Sequence, residues 1–216
     1  MQITPRIHKI GSFVNQYLLI DGETLFLIDT GMTSNANEII KYIGKLGFKP
    51  ENLKQILITH ADPDHYGAAD AIRKLTGATV CASKIEAEAM TKGSTSRPII
   101  PKGFFAFLFP LFRKLLTSPP TFVDQIINDG ETLPILEGLQ VISAPGHTPG
   151  QIVFFLPEEK ILFAGDSITI VNKKPDAITD ARTGDIELAK KTFSKLMKLD
   201  PEIICAGHAY FHLRGK

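Results

Sequence analysis

The chain has 216 residues, of which 44% are hydrophobic and 22% charged, and its formal net charge is +1 at pH 7. These values are ordinary for a globular domain, and the length suits one domain with a large core. The charge excludes the basic excess typical of nucleic-acid-binding proteins, so we expect no nucleic-acid partner. No apolar run reaches the roughly 20 residues of a membrane span, and no secretory signal pattern is visible, so we expect a cytoplasmic protein.

Two series of strands and helices follow one another along the chain. In the first, hydrophobic patterns predict strands at 14–20, 24–28, 55–59 and 78–82, and helices at 34–46, 68–75 and 83–92. In the second, they predict strands at 122–127, 132–136, 139–143, 151–156, 160–164 and 202–205, and a helix at 186–199. This order predicts an α/β fold in which two sheets pack together with helices outside.

The two cysteines, Cys81 and Cys205, each lie inside an apolar run that is typical of a strand. A disulfide between them is one interpretation. We favour two buried free thiols, because cysteine in such a run behaves as a small hydrophobic residue.

Residues 93–120, between the two series, have an unusual composition. They include five prolines, and five phenylalanines fall within the nine residues Phe104–Phe112. Pro110 must break or kink any helix there, so we predict an inserted hydrophobic cap within a single domain spanning 1–216. Three interpretations of the phenylalanines stay open: a lid over an apolar substrate, a surface for homo-oligomer formation, and a membrane-surface contact through 103–116.

Residues 59–67, Thr-His-Ala-Asp-Pro-Asp-His-Tyr-Gly, carry the strongest chemical signal in the chain. Within six positions they contain His60, Asp62, Asp64 and His65, the side-chain types that bind Zn²⁺ and neighbouring metals. The apolar segment at 55–59 places this turn at the C-terminal end of a strand, where α/β proteins commonly bind ligands.

Three further candidate ligands also follow apolar strands, and each lies next to a glycine. They are His147 in Ala-Pro-Gly-His-Thr-Pro-Gly, Asp166 in Phe-Ala-Gly-Asp-Ser, and His208 in Ala-Gly-His. Glycine at these places is expected where the backbone crowds a shared site.

Together with Asp29-Thr30-Gly31, these motifs resemble those of the metallo-β-lactamase-fold hydrolase superfamily, over about residues 14 to 208. The resemblance implies a four-layer αβ/βα sandwich with two metal ions at one edge. One ion would be held by His60, residue 62 and His147, the other by Asp64, His65 and His208, with Asp166 bridging them. We expect Asp29 to support the site from behind, by bonding backbone amides or a ligand histidine.

Position 62 departs from the family pattern, which has histidine where this chain has Asp62. Asp62 is either a metal ligand itself or a carboxylate that orients His60 or a lysine. As a ligand it would complete a set of two histidines and one carboxylate. Such a set accepts Zn²⁺, which we expect, but also suits Fe(II) or Mn(II).

The resemblance also implies a reaction, in which a metal-bound hydroxide attacks a polarised carbonyl group. Asp64 would be the catalytic residue that orients the nucleophile and transfers its proton. We therefore expect a small-molecule substrate, and an ester, thioester or lactone with an apolar acyl part suits the phenylalanine-rich cap. Two alternatives on the same fold stay open: an iron-dependent redox protein that handles oxygen, nitric oxide or persulfides, and a β-lactamase-like amide hydrolase.

Overall fold

The computed structural model describes residues 1–97, 117–180, 182–208 and 212–213. For residues 212 and 213 it describes the backbone only. The phenylalanine-rich run lies outside these residues. The predicted cap at 93–120 and the single-domain assignment therefore stay predictions.

The described residues form strands and helices in the order expected of two α/β series. The strands are β1 Gln2–Thr4, β2 Ile7–Ile10, β3 Gln16–Asp21, β4 Thr24–Ile28, β5 Leu53–Leu57, β6 Thr79–Ala82, β7 Gln125–Ile126, β8 Thr132–Leu133, β9 Leu139–Ser143, β10 Ile152–Leu156, β11 Ile161–Gly165, β12 Ile168–Val171, β13 Lys174–Ala177, β14 Ile203–Ala206 and β15 His212–Leu213. The helices are α1 Ala36–Lys45, α2 Pro63–Tyr66, α3 Ala69–Thr76, α4 Lys84–Thr91 and α5 Ile186–Met197.

Two large mixed sheets form the centre of the fold. One has the strand order β1-β2-β3-β4-β5-β6-β7, and the other has the order β15-β14-β11-β10-β9-β8. β4, β5, β6 and β7 run parallel to one another, as do β11 and β14. Parallel neighbouring strands end at the same edge of a sheet. The loop after β5 therefore leaves the first sheet at the same edge as the loops after β4 and β6, and the loop after β11 leaves the second sheet at the same edge as the loop after β14. β12 and β13 pair separately as a hairpin.

Successive side chains along a strand point to opposite faces of its sheet, and this alternation produces four layers. In β3, Leu18 packs against the helices α1 and α3, whereas its neighbours Tyr17 and Leu19 face the second sheet. In β10, Phe154 faces the first sheet, and Phe155 packs on the side of α5. Each sheet therefore buries both of its faces, one against the other sheet and one against helices. This confirms the predicted αβ/βα sandwich.

Most predicted elements are present, and the differences have local causes. The strand predicted at 132–136 ends at Leu133 because Pro134 has no N–H to donate to a sheet. Of the predicted strand 122–127 only Gln125–Ile126 pairs with β6. The hairpin β12–β13 is missed because its turn residues, Asn172 and Lys173, lack the glycine that usually accompanies two positive φ angles.

Other short strands are also missed. β1 and β2 contain only three and four residues, and such lengths give too little periodicity to recognise. Cys81 and Cys205 are free and buried, as predicted. Among the helices in the described part of the chain, none has the length and apolar character needed to cross a bilayer.

Candidate metal centre

Four strand ends bring the candidate ligands together. The turn at 60–65 follows β5, His147 lies in the loop between β9 and β10, and Asp166 and His208 directly follow the parallel neighbours β11 and β14. Strand β10 ties the two sheets at this edge, because Ile152 N–H donates to the carbonyl of Thr59. The sequence motifs therefore meet at one edge of the sandwich.

The ligand atoms fall into two groups that meet at Asp166. One group is His60, His147 and Asp166, and the other is Asp64, His65 and His208; within each group the atoms lie within 4.8 Å of one another. Asp166 Oδ2 is 3.6 Å from His147 Nε2 and 3.4 Å from His208 Nε2, and its Oδ1 is 3.4 Å from His65 Nε2. Asp166 therefore faces both groups, in the place predicted for a bridging carboxylate.

Asp62 lies beside the first group. Its Oδ2 is 3.2 Å from His147 Nε2 and 3.9 Å from His60 Nε2. Thr95 Oγ1 donates to Oδ1 at 2.6 Å, and the Arg97 guanidinium donates to Oδ2. Burial raises the pKa of Asp62. The hydrogen bond with His147, together with the hydrogen bond and the positive charge of Arg97, outweighs this effect and holds the pKa well below its usual range.

The donors fit metal ions. His60 Nε2 and Asp166 Oδ1 are buried polar atoms without a hydrogen-bond partner among the described residues, which is costly unless a cation is bound. Gly207 leaves room for this cluster, because a Cβ there would come within 2.3 Å of Asp166 Oδ1 and 2.8 Å of His65 Cε1. Imidazole and carboxylate ligands in this number suit Zn²⁺, Fe(II) or Mn(II).

A chain of hydrogen bonds behind the ligands orients two of the histidines. His60 Nδ1 lies 3.0 Å from Thr59 Oγ1, and this hydroxyl donates to Asp29 Oδ2 at 2.8 Å. His65 Nδ1 lies 2.8 Å from the same carboxylate oxygen. Since a carboxylate only accepts, the network assigns the proton to Nδ1 of both rings and leaves each Nε2 free for a metal. This confirms the expected supporting role of Asp29.

The backbone around Asp29 is unusual for a buried, non-glycine residue. Asp29 has φ 57°, in the left-handed region that aspartate tolerates better than most residues. This turn lets Asp29 Oδ1 accept from Thr59 N–H at 2.8 Å, while Thr30 N–H donates to the carbonyl of His65 at 2.7 Å. The Asp-Thr-Gly element thus fixes both ends of the ligand-bearing turn.

His208 is oriented from the opposite side. Its Nδ1 is 3.2 Å from the carbonyl of Phe13, so Nε2 faces Asp64 Oδ2 at 3.2 Å. The Phe13 ring contacts His208 edge-on, with 5.6 Å between ring centroids, and is itself 70% exposed. An exposed aromatic side chain therefore lies beside the second group.

Burial and the neighbouring carboxylates together set the charges of the histidines. Burial lowers the pKa of His60 well below its ordinary value, which keeps this ring neutral. Burial acts on His65 in the same direction, but the charge of Asp166 contributes to raising its pKa well above normal. Hydrogen bonds with Asp166 and Asp64 raise the pKa of His208 to about 9 against the effect of burial, and His208 in turn helps to lower that of Asp64 to about 2. Metal binding here releases protons.

Glu86 in α4 is a buried carboxylate that connects the ligand loops. Oε2 accepts from Ala61 N–H at 2.7 Å, and Oε1 accepts from Gly150 N–H at 2.9 Å and from Thr148 Oγ1 at 2.7 Å. Ser96 Oγ donates to Oε1 at 2.9 Å. Burial raises the pKa of Glu86 above its ordinary value, although all four bonds oppose this change. One side chain thus joins the turn after His60, the loop of His147 and the segment that follows α4.

Sequence reasoning identified all seven candidate ligands, and the structure brings them together. It missed Thr59, Glu86, Thr95 and Arg97, which hold the ligands in place. The sequence around Glu86 gives no signal, because a glutamate in an ordinary helix is usually exposed. His8 lies away from the site, where its Nδ1 is 3.0 Å from Tyr42 Oη, as expected of a core histidine with a satisfied hydrogen bond.

Comparison with known proteins agrees with this geometry. A family model described as the metallo-beta-lactamase superfamily matches residues 10–208. The probable metallo-hydrolase YflN of Bacillus subtilis is 31% identical over 196 residues, with coverage of 84% of this chain and 74% of YflN. The hydroxyacylglutathione hydrolase GloC of Haemophilus influenzae is 30% identical over 200 residues, with coverage of 91% and 85%.

Solved structures give the same result for the fold. A metallo-beta-lactamase of Cronobacter sakazakii, described by its HARLDQ motif, superposes with a TM-score of 0.74 at 25% identity and covers 95% of this chain and 79% of its own. Four other hydroxyacylglutathione hydrolases are matched over only 56–60% of their own length.

Proposed function

Because the chain belongs to the metallo-beta-lactamase superfamily and is a metallo-hydrolase, we propose that it hydrolyses a thioester, ester or lactone at a centre of two divalent metal ions. The observation that carries this proposal is the meeting of two ligand groups at Asp166. Zn²⁺ is the ion we expect at both positions.

The two ions are assigned the residues of the two groups, with Asp62 added to the first group. The first ion would be held by His60, Asp62 and His147, the second by Asp64, His65 and His208, and Asp166 would contact both. Bound ions of this kind activate water and polarise a carbonyl oxygen.

The remaining chemistry belongs to the chain itself. Asp64 is 23% exposed and its Oδ2 is held by His208, so it lies where the buried ligands meet solvent. Its pKa of about 2 keeps it ionised, and it can accept a hydrogen bond from the attacking water and orient it. We propose that Asp64 also carries that water's proton to the leaving group.

A thioester is the first substrate class to test. The relatives named hydroxyacylglutathione hydrolase act, by that name, on a thioester. The exposed ring of Phe13 beside His208 offers an apolar contact to a bound acyl group. The phenylalanine-rich run Phe104–Phe112, outside the described residues, would add a second apolar surface if it forms the predicted cap.

The experiment combines metal analysis with a substrate screen. Protein purified without added metal is analysed for zinc, iron and manganese, then assayed on acyl thioesters, aryl esters, lactones, a β-lactam and a phosphodiester. We expect about two metal ions per chain and chelator-sensitive hydrolysis of the thioester, ester or lactone group. Iron with no hydrolysis would support the redox alternative, and selective β-lactam cleavage would support the amide-hydrolase alternative.

The apolar acyl preference is tested separately. Serine substitutions at Phe104, Phe105 and Phe107 should reduce the preference for long over short acyl chains, measured as the ratio of kcat/KM values. Serine at the exposed Phe122 is the matched control. An unchanged ratio would refute the role of the cap while leaving the metal centre untouched.

A further inference from the structure

Asp62 places a third carboxylate among the candidate ligands, near Asp64 and Asp166. Its side chain is 7% exposed, and a buried charge is costly unless a cation and hydrogen bonds compensate it. A histidine at this position would be neutral and would need no such compensation. A site with aspartate at position 62 therefore needs hydrogen-bond donors and positive charge around this carboxylate, which a site with histidine there does not need.

Two side chains from the segment after α4 supply that feature. Thr95 Oγ1 donates to Asp62 Oδ1 at 2.6 Å, and the Arg97 guanidinium donates to Oδ2. With these bonds in place, Oδ2 faces His147 Nε2 at 3.2 Å and His60 Nε2 at 3.9 Å. We propose that Arg97 is a positioning residue that makes Asp62 usable as a metal ligand, by fixing its carboxylate and balancing its charge.

The surroundings hold Arg97 where this role requires it. Its side chain is 15% exposed. On one side, the neighbouring Ser96 donates a hydrogen bond to Glu86. On the other side lies Gly184, where an added Cβ would be 3.8 Å from Arg97 Cβ. The N–H of Gly184 donates to the carbonyl of His147 at 3.0 Å. Arg97 thus lies between two parts of the chain that are both fixed to the ligand loops.

This inference rests on the proposed metal centre and adds a coupling between Arg97 and Asp62. An arginine that only stabilised the fold would act equally whichever residue occupied position 62. An arginine that positions the Asp62 carboxylate should no longer favour metal binding when a neutral residue occupies position 62. The guanidinium would then lie near a metal ion and a neutral imidazole, and the ion would repel it. The two roles are separated by a double-mutant cycle.

The experiment measures Zn²⁺ affinity by competition with a chromophoric chelator and metal per chain by elemental analysis. The variants are Arg97→Met, Arg97→Lys, Thr95→Val, Asp62→His and the double variant Asp62→His/Arg97→Met. We expect Arg97→Met to weaken Zn²⁺ binding at one of the two positions by about 10–100-fold, the usual effect of losing a residue that orients a ligand. Arg97→Lys keeps the charge without the planar fork and should lose less.

In the Asp62→His background, Arg97→Met should leave Zn²⁺ affinity unchanged or improve it. Equal losses in both backgrounds, or no loss from Arg97→Met in the wild-type background, would overturn the proposal. Arg73→Met is the matched control, because it breaks an Arg–Asp pair with Asp124, 2.7 Å long, on the surface. If Arg97→Met fails to fold by circular dichroism, Thr95→Val and Arg97→Lys carry the same test.

The result separates this inference from the proposed function. Two bound Zn²⁺ ions with no hydrolysis of any substrate would refute the function, while the affinities would still report the coupling. Full hydrolysis with equal effects of Arg97→Met in both backgrounds would refute only the role of Arg97.

Discussion

The two halves of the candidate metal centre are built differently. The first half, His60, Asp62 and His147, is enclosed: these residues are 0%, 5% and 2% exposed. In the second half, the side chains of Asp64 and His208 are 23% and 18% exposed. We therefore expect water and substrate to reach the centre from the second half, and an ion bound there to exchange faster with a chelator.

The supporting residues differ in the same way. The first half is held by charged and polar side chains from a distant part of the sequence, Glu86, Thr95 and Arg97. In the second half, Asp29 holds the buried His65, whereas the exposed His208 is held by the carbonyl of Phe13, and Gly207 leaves space for the cluster. A buried position needs every polar group satisfied, whereas an open one needs room for its ligands.

Asp166→Ala is expected to have the largest effect, because Asp166 is the residue that both halves share. Loss of a residue that merely orients a ligand costs about 10–100-fold, so removal of this carboxylate should lower kcat/KM by at least about 100-fold. Elemental analysis should show less than one metal ion per chain. Asp176→Asn, on the exposed strand β13, is the control. Retention of two ions would contradict the placement of Asp166 between the halves.

Gly207→Ala should damage the second half in particular. The added Cβ would lie 2.3 Å from Asp166 Oδ1 and 2.8 Å from His65 Cε1, so one of these ligands must move. We expect at least about a 10-fold loss of Zn²⁺ affinity at one position, by analogy with other disturbances of ligand placement. Gly44→Ala, in α1 with nothing within 4 Å of the new Cβ, should keep full affinity and gain about 0.5–1 kcal/mol of stability.

Asp29→Asn tests the hydrogen-bond chain that serves both halves. Asparagine tolerates the positive φ at this position, so the backbone can stay in place. Its oxygen must accept from Thr59 N–H, which turns the NH₂ group toward His65 Nδ1. His65 would then carry its proton on Nε2 and lose its free lone pair for the metal. We expect about a 10-fold loss of affinity; an unchanged Nδ1–H signal of His65 in NMR spectra would contradict this argument.

Thr59→Val should act on the other branch of the same chain. It removes the acceptor of His60 Nδ1 and leaves the bond between Asp29 and His65 intact. Metal loss should therefore involve both halves in Asp29→Asn, because Oδ2 serves Thr59 and His65, and should be confined to the first half in Thr59→Val. Equal loss from both halves in both variants would show that the two halves are not supported separately.

The candidate ligands could be recognised from the sequence because they lie in short motifs at strand ends. Asp62 and Asp64 flank Pro63, and His65 follows directly, so all of them lie in one turn. The layers were predictable for a similar reason, since period-2 alternation in β3 and β10 decides which side chains face each layer.

The supporting residues could not be predicted because their partners are distant in the sequence. Arg97 meets Asp62 across 35 positions, and Glu86 meets Gly150 across 64. Neither lies in a periodic pattern or a motif that separates it from an ordinary surface residue. The hairpin β12–β13 was missed for a local reason, the absence of glycine from its turn.

Glu86→Gln should have the smallest effect, and it tests whether the first half of the candidate centre is supported separately from the second. Both carboxylate oxygens accept a backbone N–H, from Ala61 and Gly150, and glutamine has one oxygen for these two donors. One buried amide is left unpaired, which costs about 1–3 kcal/mol and lowers Tm by about 2–4 °C per kcal/mol in a chain of this size. The exposed Glu88→Gln on the same helix is the control. Because Glu86 joins the loops of the first half, Zn²⁺ loss should be confined to that half; a lower Tm with both affinities unchanged would mean that Glu86 stabilises the fold alone.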